Sequence, residues 1–385
     1  MTTQLLAQAL ATAANPDASL DQLGEVVGDL IRFGAFDAAD SVLKRLREGG
    51  RSAKLVERMQ RLTDRLRDAG PDFEDRFLLR ATALVNDPDA RPDQLLRAAE
   101  SLIIWGSLDE ADRALERLKS SHGFSGRVNR LAAASHQLRR SGILQELKTL
   151  KREQSLNKPH EVLIRRRAGA DRAIIVFTGA ERRFWLSLNV LHQFLRRLNA
   201  HVIYLGDHSG RMYVNGLTTI EPGYDALVRI LRAQLDDLGV NRVHVMAMSA
   251  GGFVGLRAAK DLKAAGFAGT GIKTTLDRVD GIATGPYIDR VINDCRYPEM
   301  LGNLRHEIAA SEFPRRILLY CGDLNTVDRA HAENLSGIER VEVHFLTNYR
   351  PHNVVSGMVA RGQFLPMLQR LMADPAEPGL AVGNA

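Results

Sequence analysis

From about residue 165 to residue 373, short continuous hydrophobic runs alternate with amphipathic stretches. The runs occupy residues 173–177, 201–205, 242–248, 279–284, 316–320 and 341–346. Short runs that are apolar throughout are typical of strands buried on both faces of a sheet. Segments between them, such as Tyr224–Leu238, have the spacing of amphipathic helices. The pattern predicts an α/β domain with a doubly wound, mostly parallel sheet over residues 160–373.

The first 150 residues carry apolar positions at helical spacing instead, as between Leu23 and Ile31. NPDASLDQL from Asn15 aligns with DPDARPDQL from Asp87, with six of nine positions identical at an offset of 72, and the match continues in register. The sequence therefore predicts a duplicated all-α helical-repeat domain over residues 1–150. We expect four helices per unit, arranged as two antiparallel hairpins, and a linker at residues 143–160.

Two corresponding segments, RFGAFDAADSVLKRL and IWGSLDEADRALERL, share a rhythm of Gly, Ala and Leu. In this they resemble tetratricopeptide-type repeats, although the unit is about twice as long as that repeat. The resemblance implies stacked hairpins with an open groove for a protein partner or for self-association. The alternative is a scaffold that only packs on the α/β domain or dimerises it. Residues 1–150 should then set partner choice, and a chain that begins near Asn157 should keep any activity.

Composition narrows the possible partners. The formal net charge is +6, but the basic residues occur as short pairs, such as 182–183 and 315–316, without aromatic interleaving, so no nucleic-acid partner is predicted. No apolar run approaches the length of a membrane span. The first residues lack the basic start of an export signal, so a cytoplasmic location is expected. Cys295 and Cys321 do not have metal-site spacing, and no metal is predicted.

The third predicted strand ends in AMSAGG, residues 247–252, and a helical stretch follows. This strand–turn–helix with small residues around a serine is typical of a nucleophile elbow, with Ala247 where the first glycine usually stands. Ser249 is the predicted nucleophile, and the N–H of Ala250 a predicted oxyanion donor. The alternatives are a phosphate-binding turn or a serine that caps the helix. His352 follows the last predicted strand, at the same sheet edge, and is the predicted general base.

MSAGG at 248–252 and PHNVV at 351–355, in this chain order, resemble the α/β-hydrolase superfamily. With YLGDHSGRMYVNG at 204–216, the resemblance narrows to hydrolase domains attached to helical repeats in bacterial glycan-handling proteins. It implies cleavage of an ester, thioester or amide through an acyl-enzyme, without a cofactor. It also implies a second oxyanion donor after the first strand, at Gly179 or Ala180.

The acid of the implied triad has three candidates after the penultimate strand. Many α/β-hydrolases place the acid three residues after a glycine such as Gly322, and that position is Asn325. A neutral amide would stabilise an imidazolium less than a carboxylate does. Asp323 is nearest the strand end and is slightly favoured, while Asp328 could serve as the acid or cap the following helix.

The predicted substrate contacts follow two strands at their carboxyl ends, where ligands of α/β sheets bind. They are Arg182, Arg183, Trp185, His208, Arg211 and Tyr213. Cationic and aromatic side chains suit a glycan or an anionic small molecule, whereas surface arginines and a core tryptophan are the alternative. The leading hypothesis is an esterase or deacylase. The alternatives are an acyltransferase that uses the same triad and a non-catalytic binding protein with a degenerate hydrolase fold.

Overall fold

The structure is a computed structural model that describes residues 9–32, 36–50, scattered positions between 53 and 64, 73–119, 125–144, 156, 161–217, 222–277, 282 and 285–373. The chain divides into two compact units between Arg80 and Ala81. The helices of the N-terminal half are α1 (Leu20–Arg32), α2 (Phe36–Glu48), α3 (Phe73–Asn86), α4 (Pro92–Trp105), α5 (Leu108–Leu118) and α6 (Ser125–Arg140).

Local sequence explains where these helices begin and end. Pro92 starts α4, where its missing N–H costs nothing, and Gly106 ends it in a left-handed conformation with φ of 82°. The apolar positions of α4 are buried on one face, including Leu95, Leu102 and Ile103. Tertiary burial of such a face supplies most of the stability of a short helix.

The duplication at an offset of 72 recurs in side-chain contacts. In each of the two sequence repeats, an arginine side chain donates to two backbone carbonyl oxygens about thirty residues earlier in the chain. Arg45 donates to the carbonyls of Ala13 and Pro16, and Arg117 to those of Val85 and Pro88, all at 2.7–3.1 Å. All three positions differ by 72 between the units. The two halves therefore share local geometry as well as sequence, while the tetratricopeptide resemblance stays a prediction.

The described residues include seven strands: β1 (Val162–Arg165), β2 (Arg172–Phe177), β3 (His201–Leu205), β4 (Arg242–Met248), β5 (Gly266–Thr270), β6 (Ile317–Gly322) and β7 (Val341–Leu346). They form one sheet in the order β1-β3-β2-β4-β5-β6-β7. Only the β1–β3 pair is antiparallel, and the other five pairs are parallel. The accompanying helices are α7 (Leu188–Leu195), α8 (Tyr224–Asp237), α9 (Gly252–Asp261), α10 (Pro286–Asn293), α11 (Leu304–Ala309), α12 (Thr326–Glu333), α13 (Val354–Ala360) and α14 (Phe364–Met372).

The sheet matches the predicted α/β class but differs from the prediction at two strands. The fourth parallel strand is β5, whereas most of the predicted strand 279–284 lies outside the described residues and Ile282 is in no strand. The sequence of β5, GFAGT, has two glycines and an alanine among its five residues and forms no continuous apolar run, so it was missed. β1 was missed as well, because a charged residue precedes its short apolar run and arginines end it.

Helices of the second repeat belong to the same compact unit as the sheet. The backbone N–H of Ser187, which caps α7, donates to Ile104 O at 3.0 Å, and Arg197 donates to Ser141 O at 2.6 Å. The boundary between the compact units, after Arg80, thus lies earlier in the chain than the predicted linker at residues 143–160. Residues 145–155 and 157–160 of that linker lie outside the described part of the chain. A division into separately folding domains at 1–150 and 160–373 stays a prediction.

The parallel strands bring distant loops to one sheet edge. β2 lies beside β4 with Phe177 opposite Ala247, and β6 lies beside β7 with Gly322 opposite Leu346. The segments after these strands therefore meet at the carboxyl edge, the usual ligand side of such sheets. None of the described helices has the length and hydropathy required to cross a bilayer.

Candidate active site

Ser249 stands on a tight turn between β4 and α9. Its φ is 50°, in the left-handed region that non-glycine residues avoid, and a single 3₁₀ turn, Ser249–Gly251, leads into the helix. Its neighbours must be small, because a Cβ at Gly251 would lie 2.6 Å from Thr178 O and one at Gly252 would lie 2.2 Å from Ile272 Cβ. Such a strained serine at a strand end is the geometry expected of a nucleophile elbow.

A continuous chain of hydrogen bonds joins three side chains from different loops. Ser249 Oγ lies 2.7 Å from His352 Nε2, and His352 Nδ1 lies 2.7 Å from Asp328 Oδ2. With the Nδ1 proton on the carboxylate side, Nε2 is free to accept the serine proton. The carboxylate side chain is 2% exposed while the histidine side chain is 44% exposed, so the carboxylate is shielded and the imidazole is open to solvent. This arrangement can generate a serine nucleophile.

Two side chains support the carboxylate of Asp328. Asn325 Nδ2 donates to Asp328 Oδ2 at 2.9 Å, and Lys273 Nζ lies 3.4 Å from Oδ1. Burial lowers the pKa of Lys273, and the nearby carboxylate opposes this shift. Sequence reasoning missed Lys273, because it follows β5, which was not predicted.

The slight preference for Asp323 over Asp328 does not agree with this geometry. The Asp323 carboxylate accepts the backbone N–H groups of Asn348 and Tyr349, both at 2.9 Å. These bonds lower the pKa of Asp323. Asp323 therefore holds the loop that leads to His352, while Asp328 supplies the carboxylate at His352 Nδ1.

The oxyanion candidates differ in what their N–H groups do. Ala250 lies in the first turn after Ser249, where an N–H has no partner within the helix. Gly179 lies beside the nucleophile, since a Cβ there would be 3.8 Å from Ser249 Cβ, but its N–H donates to Arg183 O at 3.1 Å. Ala180, which follows and is exposed, is the more accessible second candidate.

The predicted substrate contacts do not form one surface. Trp185 is 3% exposed and Tyr213 is fully buried, with its hydroxyl donating to Leu205 O at 2.8 Å. Both rings belong to the interior, which corrects their assignment to substrate binding. Arg183 pairs with Glu181, and Arg211 with Asp294 at 2.6 Å.

Arg182 and His208 complete that predicted set. Arg182 is exposed, next to the oxyanion loop, with φ of 56°. His208 is half-buried on the loop after β3. Of the six predicted contacts, only Arg182 is exposed at this edge.

Asp207 was not singled out from the sequence, yet it organises the loop after β3. Its buried carboxylate accepts four backbone N–H groups at 2.8–3.1 Å, from Ser209, Gly210, Arg211 and Tyr213. The aspartate two residues before a Ser-Gly pair is a turn signal that could have revealed it. These bonds help hold Met212 and Tyr213 at positive φ.

His331 is a second histidine near Asp328. Its Nδ1 accepts the backbone N–H of Thr274 at 3.3 Å, and burial, followed by the charge of Lys273, lowers its pKa to about 3. A buried, neutral imidazole that already accepts a backbone proton is a structural element rather than a second base.

Comparisons with known proteins give low similarity throughout. No family model matches the sequence, and no curated protein is similar to it. Among solved structures, a hydrolase from Pseudomonas aeruginosa is 15% identical, with a TM-score of 0.36 over 55% of this chain and 93% of its own. An α/β hydrolase from a sediment metagenome of the Mar Chica lagoon in Morocco is 12% identical, with a TM-score of 0.39 over 54% and 92%. The capsule O-acetyltransferase of Neisseria meningitidis serogroup A is 14% identical, with a TM-score of 0.39 over 54% and 90%.

Proposed function

We propose that this chain is a serine hydrolase that cleaves an ester through an acyl-enzyme. The observation that carries the proposal is the unbroken chain from Ser249 Oγ through His352 to buried Asp328, with two contacts of 2.7 Å. A serine–histidine hydrogen bond without a catalytic role does not require a buried carboxylate at the other ring nitrogen. In a catalytic triad that carboxylate orients the imidazole and stabilises the imidazolium.

In this mechanism His352 Nε2 takes the proton of Ser249 as Oγ attacks the ester carbonyl carbon. Asp328 stabilises the imidazolium, and the N–H of Ala250, with that of Ala180, stabilises the oxyanion. His352 then returns the proton to the leaving alkoxide. Water, deprotonated by the same imidazole, attacks the acyl-enzyme carbonyl carbon. The bond to Ser249 Oγ then breaks, His352 returns the proton to Oγ, and the carboxylic acid is released.

The substrate class proposed is an ester on a glycan or a small metabolite that meets the protein at its surface. His352 is 44% exposed, so the reacting atoms are reached from solvent. Exposed Arg182 beside the oxyanion loop favours a polar or anionic substrate. A long acyl chain would require an enclosed apolar tunnel at this edge.

Covalent labelling by a fluorophosphonate tests the proposal, with turnover of 4-nitrophenyl acetate as a second readout. The wild-type protein should be labelled at Ser249, and Ser249→Ala should abolish labelling and turnover. Ser336→Ala is the matched control, because Ser336 caps the end of α12 through a bond to Glu333 O. Labelling of Ser249→Ala at the wild-type rate, or an unreactive wild type, would exclude this mechanism.

A further inference from the structure

The last helix of the second repeat lies against the helix that follows the catalytic histidine. α6 packs on α13, which begins two residues after His352. The apolar positions of α6 are buried, including Val128, Leu131 and Leu138. Near the end of α6, Gln137 approaches the turn after α13, since a Cβ at Gly362 would lie 3.5 Å from Gln137 Oε1. The repeat is thus in contact with the segment that carries the proposed base.

Tyr349 is the centre of that segment. Its buried ring packs so closely on α13 that a Cβ at Gly357 would lie 2.5 Å from Cε2. Its hydroxyl donates to Asn353 O at 2.6 Å and lies 2.7 Å from Ser356 Oγ. Asn353 directly follows His352, so the tyrosine fixes the backbone on the far side of the histidine.

The same tyrosine is fixed at its backbone by the loop after β6. Its N–H donates to Asp323 Oδ1 at 2.9 Å, and its carbonyl accepts the N–H of Leu324 at 3.2 Å. From α6, the guanidinium of Arg130 covers the ring, with Cζ 5.5 Å from the centroid. A half-buried arginine over an aromatic face is an attractive contact that a neutral side chain cannot replace.

We infer that Arg130 is a positioning residue: through Tyr349 it holds the loop of His352 so that the imidazole meets Ser249 and Asp328. The inference rests on the proposed function and assigns the repeat helix a part in the geometry of the site. Small displacements of a catalytic group by a distant change can cost up to about 100-fold in rate. We expect Arg130→Ala to lower kcat about tenfold with KM little changed.

The test combines Arg130→Ala, Arg130→Lys and Tyr349→Phe, with Arg140→Ala on the same helix as the matched control, because Arg140 is exposed. Fluorophosphonate labelling rates should fall with kcat for Arg130→Ala and Tyr349→Phe, stay close to wild type for Arg130→Lys, and not change for Arg140→Ala. A purely structural role would change the melting temperature without a separate loss in kcat among the folded molecules. Rates within twofold of wild type for both Arg130→Ala and Tyr349→Phe would overturn the inference.

Hydrogen exchange of the backbone amides 348–357 separates this inference from the proposed function. Arg130→Ala should accelerate exchange there, whether or not the wild type cleaves esters, while exchange in β4 stays the same. An unreactive wild type with faster loop exchange in the variant would defeat the proposed function alone. Unchanged exchange would defeat the role of Arg130. If Arg130→Ala does not fold, Arg130→Met, which keeps most of the volume without the charge, provides the same comparison.

Discussion

Asn325 and Asp328 contact each other through two hydrogen bonds. The Asn325 side-chain oxygen accepts the backbone N–H of Asp328 at 3.0 Å, which caps α12, and its amide nitrogen donates to the Asp328 carboxylate at 2.9 Å. Asn325, three positions after Gly322, is therefore a helix cap that also holds the carboxylate of Asp328. That carboxylate lies three residues further along, in the first turn of the helix.

Replacement of the two aspartates should separate their roles. Asp328→Asn should lower kcat by about 10⁴, because the imidazole loses both its correct tautomer and its counter-charge. Asp323→Asn should cost far less, since this side chain holds the loop at Asn348 and Tyr349 and does not meet His352 Nδ1. Steady-state turnover of 4-nitrophenyl acetate measures both. A larger loss for Asp323→Asn would return the role of acid to that residue.

Two replacements of Asn325 should separate the helix cap from orientation of the acid. Asn325→Ala removes both bonds and should destabilise the fold by about 1 kcal/mol. Asn325→Ser keeps an N-cap oxygen but has no amide donor for the carboxylate, so its stability should stay near that of the wild type. Both variants should lose kcat to a similar degree. Chemical denaturation and turnover, measured on the same samples, check this, and a wild-type kcat for Asn325→Ser would show that the amide donor is dispensable.

Most strands of the sheet could be predicted from the sequence. A parallel strand buried on both faces is a continuous apolar run, which can be recognised without knowing which strands lie beside it. Five of the predicted runs overlap β2, β3, β4, β6 and β7. Ser249 and His352 could be selected as candidates in the same way, since Ser249 directly follows the run 242–248 and His352 lies on the segment after the run 341–346. The acid was not decided, because Asp323 and Asp328 both follow β6, and only the turn at Asn325 determines which carboxylate faces the histidine. Burial of Trp185 and Tyr213 depends on packing from other segments, which local spacing does not reveal.

Lys273 should contribute to the stability of the fold through the buried carboxylate of Asp328. Its ammonium lies 3.4 Å from the Asp328 carboxylate, and its side chain is only 15% exposed. Removing one partner of a buried polar contact leaves the other partner uncompensated, so Lys273→Met should lower the free energy of unfolding by about 1–3 kcal/mol. Urea denaturation measures this change. An unchanged free energy of unfolding would mean that the ion pair does not stabilise the fold.

His331 should also make stability depend on pH. Its pKa is lowered from 6.5 to about 3 in the fold, chiefly by burial, so below pH 6.5 the unfolded chain binds a proton that the folded chain does not. Above pH 6.5 neither state binds this proton, and the contribution of the neutral His331 to the free energy of unfolding is fully present. As pH falls from 6.5 towards 3, the free energy of unfolding decreases by at most about 1.4 kcal/mol per pH unit. Urea unfolding between pH 7 and 4 should show this slope. It should become shallower in His331→Asn but not in His136→Asn, a change at an exposed position of α6.

The length of chain needed for activity distinguishes an independent repeat domain from one that is part of the catalytic unit. The sequence alone predicts that a chain beginning near Asn157 keeps its activity. The structure leads to a different expectation, because such a chain lacks α6 and would uncover the buried side chains that α13 presents, among them Val354 and Met358. Exposing a large aliphatic side chain costs about 1.5–3 kcal/mol, and an uncovered apolar patch promotes association.

A chain that begins at Phe73, the first residue of α3, keeps the whole second repeat and every proposed catalytic residue. We expect it to turn over 4-nitrophenyl acetate at close to the full-length rate, and we expect the chain beginning at Asn157 to aggregate or to lose most of its kcat. Size-exclusion chromatography, thermal melting and turnover on the two truncated chains decide between these outcomes. If the shorter chain is monomeric and fully active, α6 is dispensable and the repeats act only in partner choice. If both chains are inactive but folded, residues before Phe73 also contribute to the site.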